Sequence, residues 1–166
     1  MDNKDNQKQP IVAIIQARMS SSRLPGKALL PIAGVPMLKR VFDRVQRASL
    51  VDKVVVATTS DASDDAIEKA CAEWQVACFR GNLYDVLDRY YQAAKLYGAG
   101  TIVRITADCP MIDPHEIDKV LERFFERTAT SLPIACLHHS NAQRRLAWIR
   151  RFAVSKPWSV PGKMLN

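Results

Sequence analysis

Residues Ile11 to Lys27 read IVAIIQARMSSSRLPGK, a run of apolar residues that passes directly into a loop of cations and hydroxyls. The apolar part does not alternate. A strand over Ile11–Gln16 is therefore buried on both faces, as in a parallel sheet covered by helices on either side. In such α/β sheets ligands bind beyond the carboxyl ends of the strands. At that edge the sequence places Arg18, Arg23 and Lys27 together with Ser20, Ser21, Ser22 and Gly26. Glycine lets backbone approach a ligand closely, and hydroxyls and free N–H groups donate to phosphate oxygens. Arginine adds a planar fork and lysine a point charge. The pattern GxxxxGK[ST] is not matched, so a P-loop is excluded; phosphate binding stands against a merely solvated basic loop.

Outward from this stretch, strands alternate with helices. Met37, Leu38, Val41, Phe42 and Val45 form a helical stripe, with Lys39, Arg40, Asp43 and Arg44 facing away. Lys53–Thr58 reads as a second buried strand, and Asp61 and Ser63 are cap candidates for a helix burying Ile67, Ala70, Cys71 and Trp74. A short strand near Val76–Phe79 precedes a helix expected to bury Leu83, Val86, Leu87, Tyr90, Tyr91 and Ala94. Thr101–Thr106 is the fourth strand. Asp113-Pro114-His115-Glu116 reads as a capping box opening a helix with Ile117, Val120, Leu121, Phe124 and Phe125 inward. The pattern predicts an α/β fold with a mostly parallel central sheet in three layers. The residues that follow its strands are Ala17-Arg18, Thr59-Ser60, Arg80-Gly81 and Ala107-Asp108.

The chain has 166 residues, 48% of them hydrophobic and 25% charged, enough to bury a core without metal or disulfide staples. No apolar run approaches a membrane span and the polar start is not a signal peptide, so a cytoplasmic protein is expected. Cys71, Cys78, Cys109 and Cys136 show no CxxC spacing, which fits a reducing compartment. The net charge of +7 is unevenly spread. Residues 128–166 hold six Lys/Arg and no Asp or Glu, leaving 18 basic and 17 acidic residues before them. The organisation expected is a flexible segment over 1–10, a nucleotide-binding α/β domain over 11–127, and an atypical basic tail over 128–166. In the tail a strand over Ser131–Leu137 and a basic helix over Ala142–Val154 are the readings available.

Asp108, just after the fourth strand, is by itself as good a turn cap as a ligand. Beside a phosphate loop, however, one carboxylate is what Mg²⁺ needs, since that ion keeps waters and completes its shell with substrate phosphates.

Four ordered blocks make a resemblance specific: IIQARMSSSRLPGKALLPIAGVPML, VVVATTSDASDD, FRGNLYDVLDRYYQAA and RITADCPMIDP. Over about residues 11–127 the chain resembles the cytidylyltransferases that activate acidic sugars, such as CMP-KDO synthetases and acylneuraminate cytidylyltransferases. Among them it is most similar to the branch named for spore coat polysaccharide biosynthesis protein F. The resemblance implies a nucleotide-diphospho-sugar transferase fold, Rossmann-like and incomplete at the C-terminus here. It also implies transfer of CMP from CTP to a sugar or sugar acid with release of pyrophosphate, for surface or spore-coat polysaccharide. By matching positions, Arg18, Ser22, Arg23 and Lys27 would hold the triphosphate, with Arg18, Arg23 and Lys27 neutralising the leaving group. Ala17, Thr59, Ser60 and Thr106 would line the cytosine pocket, and Asp108 would hold Mg²⁺. Arg80, Asp85 and Arg89 belong to a similar block, with an Asp85–Arg89 surface pair at i,i+4 as the structural reading. A homodimer is compatible with the resemblance.

Relatives continue into a strand with a Gly-Leu-Asp type motif that supplies a second metal carboxylate. Its absence here reads as a frameshift or truncation after about Arg127. Zinc binding by Cys136, His138 and His139 is disfavoured by their spacing. The rivals are a guanylyl- or uridylyltransferase, an inactive homologue that at most binds nucleotide, and a nucleic-acid-binding protein. The last would use Arg144, Arg145, Arg150 and Arg151 with Trp148 and Trp158, but no nucleic-acid module accompanies them.

Overall fold

The computed structural model describes residues 9–128, 135–136 and 148–151. Strand β1 (Ile11–Gln16) runs into the basic loop, which closes on a 3-10 turn at Lys27–Leu29. A small antiparallel hairpin follows, β2 (Pro31–Ile32) and β3 (Val35–Pro36), then α1 (Met37–Val45) and β4 (Lys53–Thr59). A 3-10 turn at Ala62–Asp64 leads into α2 (Asp65–Glu73), β5 (Ala77–Gly81), α3 (Val86–Leu96) and β6 (Thr101–Thr106). The last elements are α4 (Pro114–Thr128), β7 (Ala135–Cys136) and β8 (Trp148–Arg151).

The main sheet has the order β5-β4-β1-β6-β8-β7. Its first four strands are parallel, and β8 and β7 add on antiparallel. Strand β1 is central because Val12, Ala13, Ile14 and Ile15 are wholly buried, so each of its faces needs a helical cover. On one face Ala13, Ile15, Val56 and Val103 pack with Leu38 of α1, Ile67 of α2 and Leu121 of α4. On the other Val12, Ile14, Val55 and Ile102 pack with Tyr90, Ala93 and Ala94 of α3. These are the three expected layers, and no helix among the described residues is long and apolar enough to cross a membrane.

Several expectations are corrected. Leu87 and Tyr91 are exposed, and Arg89 is buried in their place. The reason is the start of α3. The Asp85 carboxylate accepts from Asp88 N at 2.8 Å and caps the helix there, which turns Arg89, Tyr90, Ala93 and Ala94 inward. The two alanines let α3 lie close to the sheet. Asp85 is thus a cap, and Arg89 is no surface partner for it. Phe125 is also exposed and stacks edge-on against buried Phe124 at 5.5 Å. Asp61 caps the turn before α2, whereas Ser63 donates its N–H to that carboxylate instead of capping. The box at α4 is half made: Asp113 accepts from His115 N, but Glu116 pairs with Lys119.

Trp148–Arg151 is a strand, not part of a helix. Residues Arg104 to Thr101 of β6 face it in antiparallel register, because β6 would otherwise offer an unpaired edge. Of the Ser131–Leu137 strand, Ala135 and Cys136 are described and are extended. His138, His139, Arg144, Arg145 and Trp158 lie outside the described residues.

The inward turn of α3 has a measurable consequence at Tyr90, where burial pushes the phenol up to about 12. Its neutral form is favoured by folding. The resulting stability is whole below pH ~10, the ordinary tyrosine value, and is lost as pH rises through the folded value. Ultraviolet titration of the folded chain will show a late tyrosine phase near pH 12 that is absent in Tyr90→Phe.

Candidate active site

The basic loop is organised around the backbone of one residue, Met19. Met19 N–H donates to Asp64 Oδ1 at 2.6 Å, and Met19 O accepts from Ser21 N and Gly26 N, both at 2.8 Å. Gly26 takes a φ of 74°, the left-handed conformation that a side chain resists, and so brings the chain back to Met19. Asp64 is wholly buried, and its other oxygen accepts from Thr59 N at 3.1 Å and from the Thr59 hydroxyl. One carboxylate therefore ties the end of β4 to the loop after β1. The loop residues it frees to face outward include Arg18, Ser22 and Arg23, all exposed.

At the loop's far end Lys27 Nζ reaches Asp108 Oδ2 at 2.9 Å, joining the loop to the residues after β6. Burial pushes the Asp108 carboxyl up, but the Lys27 ammonium and the Thr106 hydroxyl outweigh it and hold it below its ordinary value. Thr106 Oγ1 also lies 3.3 Å from Cys109 Sγ. The structure thus brings Lys27, Thr106 and Asp108 together at the β1–β6 side of the strand ends.

The β4–β5 side is built differently. Ala17 is buried, its N–H bonded to Ala57 O at 3.1 Å. Ser60 is exposed and its N–H donates to Gly81 O at 2.9 Å. Thr59 is buried and its hydroxyl is held by Asp64. Arg80 is a structural clamp. It donates to Thr59 O at 2.9 Å and Asp61 O at 2.8 Å and pairs with Asp65 and Glu68, both at 2.7 Å.

Asp64 escaped the sequence reading, and Arg89 was legible there only as a member of a family-like block with a surface ion pair as its structural reading. Asp64 was legible only as one of the acids in TSDASDD, with nothing to mark it as the anchor. Arg89 is 1% exposed, and none of its three guanidinium nitrogens has a hydrogen-bond partner among the described residues. Burial pulls its pKa down, with Tyr90 and Asp64 opposing and Arg18 adding to the fall. The Thr58 hydroxyl is likewise buried without a partner.

A cationic loop anchored at one strand end and a carboxylate at the next thus lie together at the carboxyl edge of the sheet. The cytidylyltransferase family model matches residues 12–146, most of the chain. This chain belongs to the cytidylyltransferase family. The match carries the likeness past Arg127. The chain is 35% identical over 121 residues to spore coat polysaccharide biosynthesis protein SpsF of Bacillus subtilis, covering 70% of this chain and 50% of that protein. A cytidylyltransferase structure from Leptospira borgpetersenii superposes with a TM-score of 0.77 at 33% identity, covering 87% of this chain and 61% of that one. A CMP:2-keto-3-deoxy-manno-octonic acid synthetase complexed with CTP superposes at 0.66 with 31% identity, covering 75% and 50%. The chain spans about half the length of the curated relatives it matches. Its fold is that of the nucleotidyltransferases.

In this member of the cytidylyltransferase family the Asp64 anchor has a measurable weight. Asp64→Ala orphans two backbone N–H groups and a hydroxyl, at ~1–3 kcal/mol for each buried group left unpaired. The expected loss is about 3 kcal/mol or more in denaturant unfolding. Asp65→Ala, which removes only a half-exposed partner of Arg80, should cost under about 1 kcal/mol.

Proposed function

We propose that this chain is the nucleotide-binding part of a CTP-dependent transferase that activates a sugar or sugar acid as its CMP derivative. The observation that carries the reading is the Lys27–Asp108 pair, which sets a phosphate-binding cation and a hard oxygen donor side by side at the strand ends. Family membership supports CTP as the nucleotide, and the printed names of the relatives support a sugar acid or a coat polysaccharide sugar as acceptor. A cytoplasmic setting accords with a substrate drawn from the nucleotide pool.

In the reaction a sugar hydroxyl oxygen forms a bond to the α-phosphorus of CTP. The bond from that phosphorus to the bridging oxygen breaks, pyrophosphate leaves with the electron pair, and the hydroxyl proton passes to solvent. Arg18, Arg23 and Lys27 bind the triphosphate and neutralise the charge that builds on the leaving pyrophosphate, the electrostatic part of such transfers. Ser22 donates a further hydrogen bond to a phosphate oxygen. Ala17 and Ser60 border the base, with Thr59 behind them, and Thr106 stands on the phosphate side beside Lys27 and Asp108.

The donor set at Asp108 fits Mg²⁺ of one kind only. Among the described residues no three Asp, Glu, His or Cys side chains gather as a metal site, and Asp108 is the carboxylate the reading assigns. One carboxylate with phosphate oxygens and waters completes an octahedron, so Mg²⁺ would arrive with the triphosphate and Asp108 would hold it. When bound, the ion would withdraw charge from the phosphoryl oxygens.

Thermal unfolding with Mg²⁺ and CTP, GTP or UTP in parallel tests the reading. A ligand at 100 times its Kd adds about 2.7 kcal/mol. CTP should raise the midpoint most, and Lys27→Ala should abolish most of that rise while leaving the circular dichroism spectrum intact. Pyrophosphate release with a panel of sugar acids and neutral sugars then identifies the acceptor. A folded chain stabilised by no nucleotide would sink the proposal.

A further inference from the structure

We propose that Arg89 reads the nucleotide base: its guanidinium donates to the N3 and O2 acceptors of cytosine and makes the site selective for cytidine over uridine nucleotides. This rests on the CTP reading above and supplies what that reading lacks, a side chain that recognises the base.

The starting point is a buried cation on which Asp64 and Asp85 act only through space. Arginine does not shed its proton inside proteins, so a guanidinium that is 1% exposed remains a cation with five donors to satisfy. None of its nitrogens finds a partner among the described residues. Native interiors pair such groups almost without exception, and an exception asks for an absent ligand.

Position decides what that ligand offers. Arg89 lies against Gly81, the last residue of β5. A Cβ at residue 81 would come within 3.0 Å of Arg89 Cγ, so glycine there makes room for the arginine stem. Its charge is felt by Asp64 and Arg18, which follow β4 and β1. Arg89 therefore serves the β5–β4 side of the strand ends, whereas the Lys27–Asp108 pair serves the β1–β6 side. Neighbouring strands lie about 4.8 Å apart, so from β5 to β6 is roughly 14 Å, about the span of an extended nucleoside triphosphate. With the phosphates held over β1 and β6, the base falls over β4 and β5. The acceptors that meet Arg89 are then those of the base.

The chemistry selects which base. Cytosine presents ring N3 and carbonyl O2 side by side, both acceptors, and a guanidinium fork matches such a pair with two parallel bonds. Uracil carries N3–H at the same place, a donor facing a donor. The phosphate contacts are common to both nucleotides, so Arg89 supplies the difference between them.

Calorimetric titration of the full chain, with Mg²⁺ and each of CTP, UTP and inorganic tripolyphosphate, tests this. The wild-type chain should prefer CTP to UTP. Arg89→Met should weaken CTP about 10- to 100-fold, bring the CTP-to-UTP ratio near one, and leave tripolyphosphate affinity unchanged. Arg89→Lys keeps the charge but not the fork and should also lose most of the preference; it decides the matter if the Met variant does not fold. The thermal midpoint of Arg89→Met should hold or rise, because an unpaired buried charge has gone. Persistence of the CTP preference in both variants would overturn the inference. So would a parallel fall in tripolyphosphate binding, which would make Arg89 a phosphate ligand, or a lowered midpoint with an unchanged ratio, which would make it structural. A wild-type chain that binds tripolyphosphate but not CTP would instead overturn the proposed function, and this inference with it.

Discussion

The buried Asp64 carboxylate is the constraint on which the site depends. A parallel sheet leaves the ends of its strands as separate loops with no ladder to hold them together. Asp64 supplies the missing tie by accepting from Met19 N, Thr59 N and the Thr59 hydroxyl. Being buried, it answers to those donors and not to water, and a charged acceptor makes the stronger kind of hydrogen bond. With Met19 fixed, the loop folds back through Gly26 and its cations stand over the sheet edge, not adrift in solvent.

Around that tie the cations divide by task. Arg80 spends its guanidinium on Thr59 O, Asp61 O, Asp65 and Glu68, and so clamps β5 to the turn before α2. Lys27 is shared with Asp108, a pair that ligand phosphate can loosen because both partners are partly exposed. Arg89 alone among the three is enclosed and has its nitrogens unpaired among the described residues. Residues of one charge type, drawn from two family-like blocks, thus sit in three different environments, set by how much solvent and how many acceptors each one meets.

Much of this was legible in the chain. The non-alternating run Ile11–Ile15 could only be a strand covered on both faces, and the blocks after each strand carried the family resemblance. The loop cations and Asp108 were named from their place after β1 and β6. What was misread depended on helix phase. Leu87, Tyr91 and Phe125 fit an apolar stripe by spacing, yet the cap at Asp85 and the close approach allowed by Ala93 and Ala94 rotated α3 so that Arg89 went in. Periodicity alone does not price a buried arginine against an exposed leucine. Trp148–Arg151 was misread for a related reason, since strand pairing there answers to the open edge of β6 and not to any pattern within the segment.

By itself the sequence determined the layers, the parallel order of alternation, the position of the basic loop and the family, because these follow from local periodicity and from residues adjacent in the chain. Only the tertiary structure decided that Asp64 anchors the loop, that Thr59 is buried against it, that Arg80 clamps β5 to the turn before α2 and that Arg89 is enclosed with its nitrogens unpaired among the described residues. Each of those roles is a relation between residues brought together by folding from separate strands and helices, and the number of acceptors around a charge is a property of that assembly.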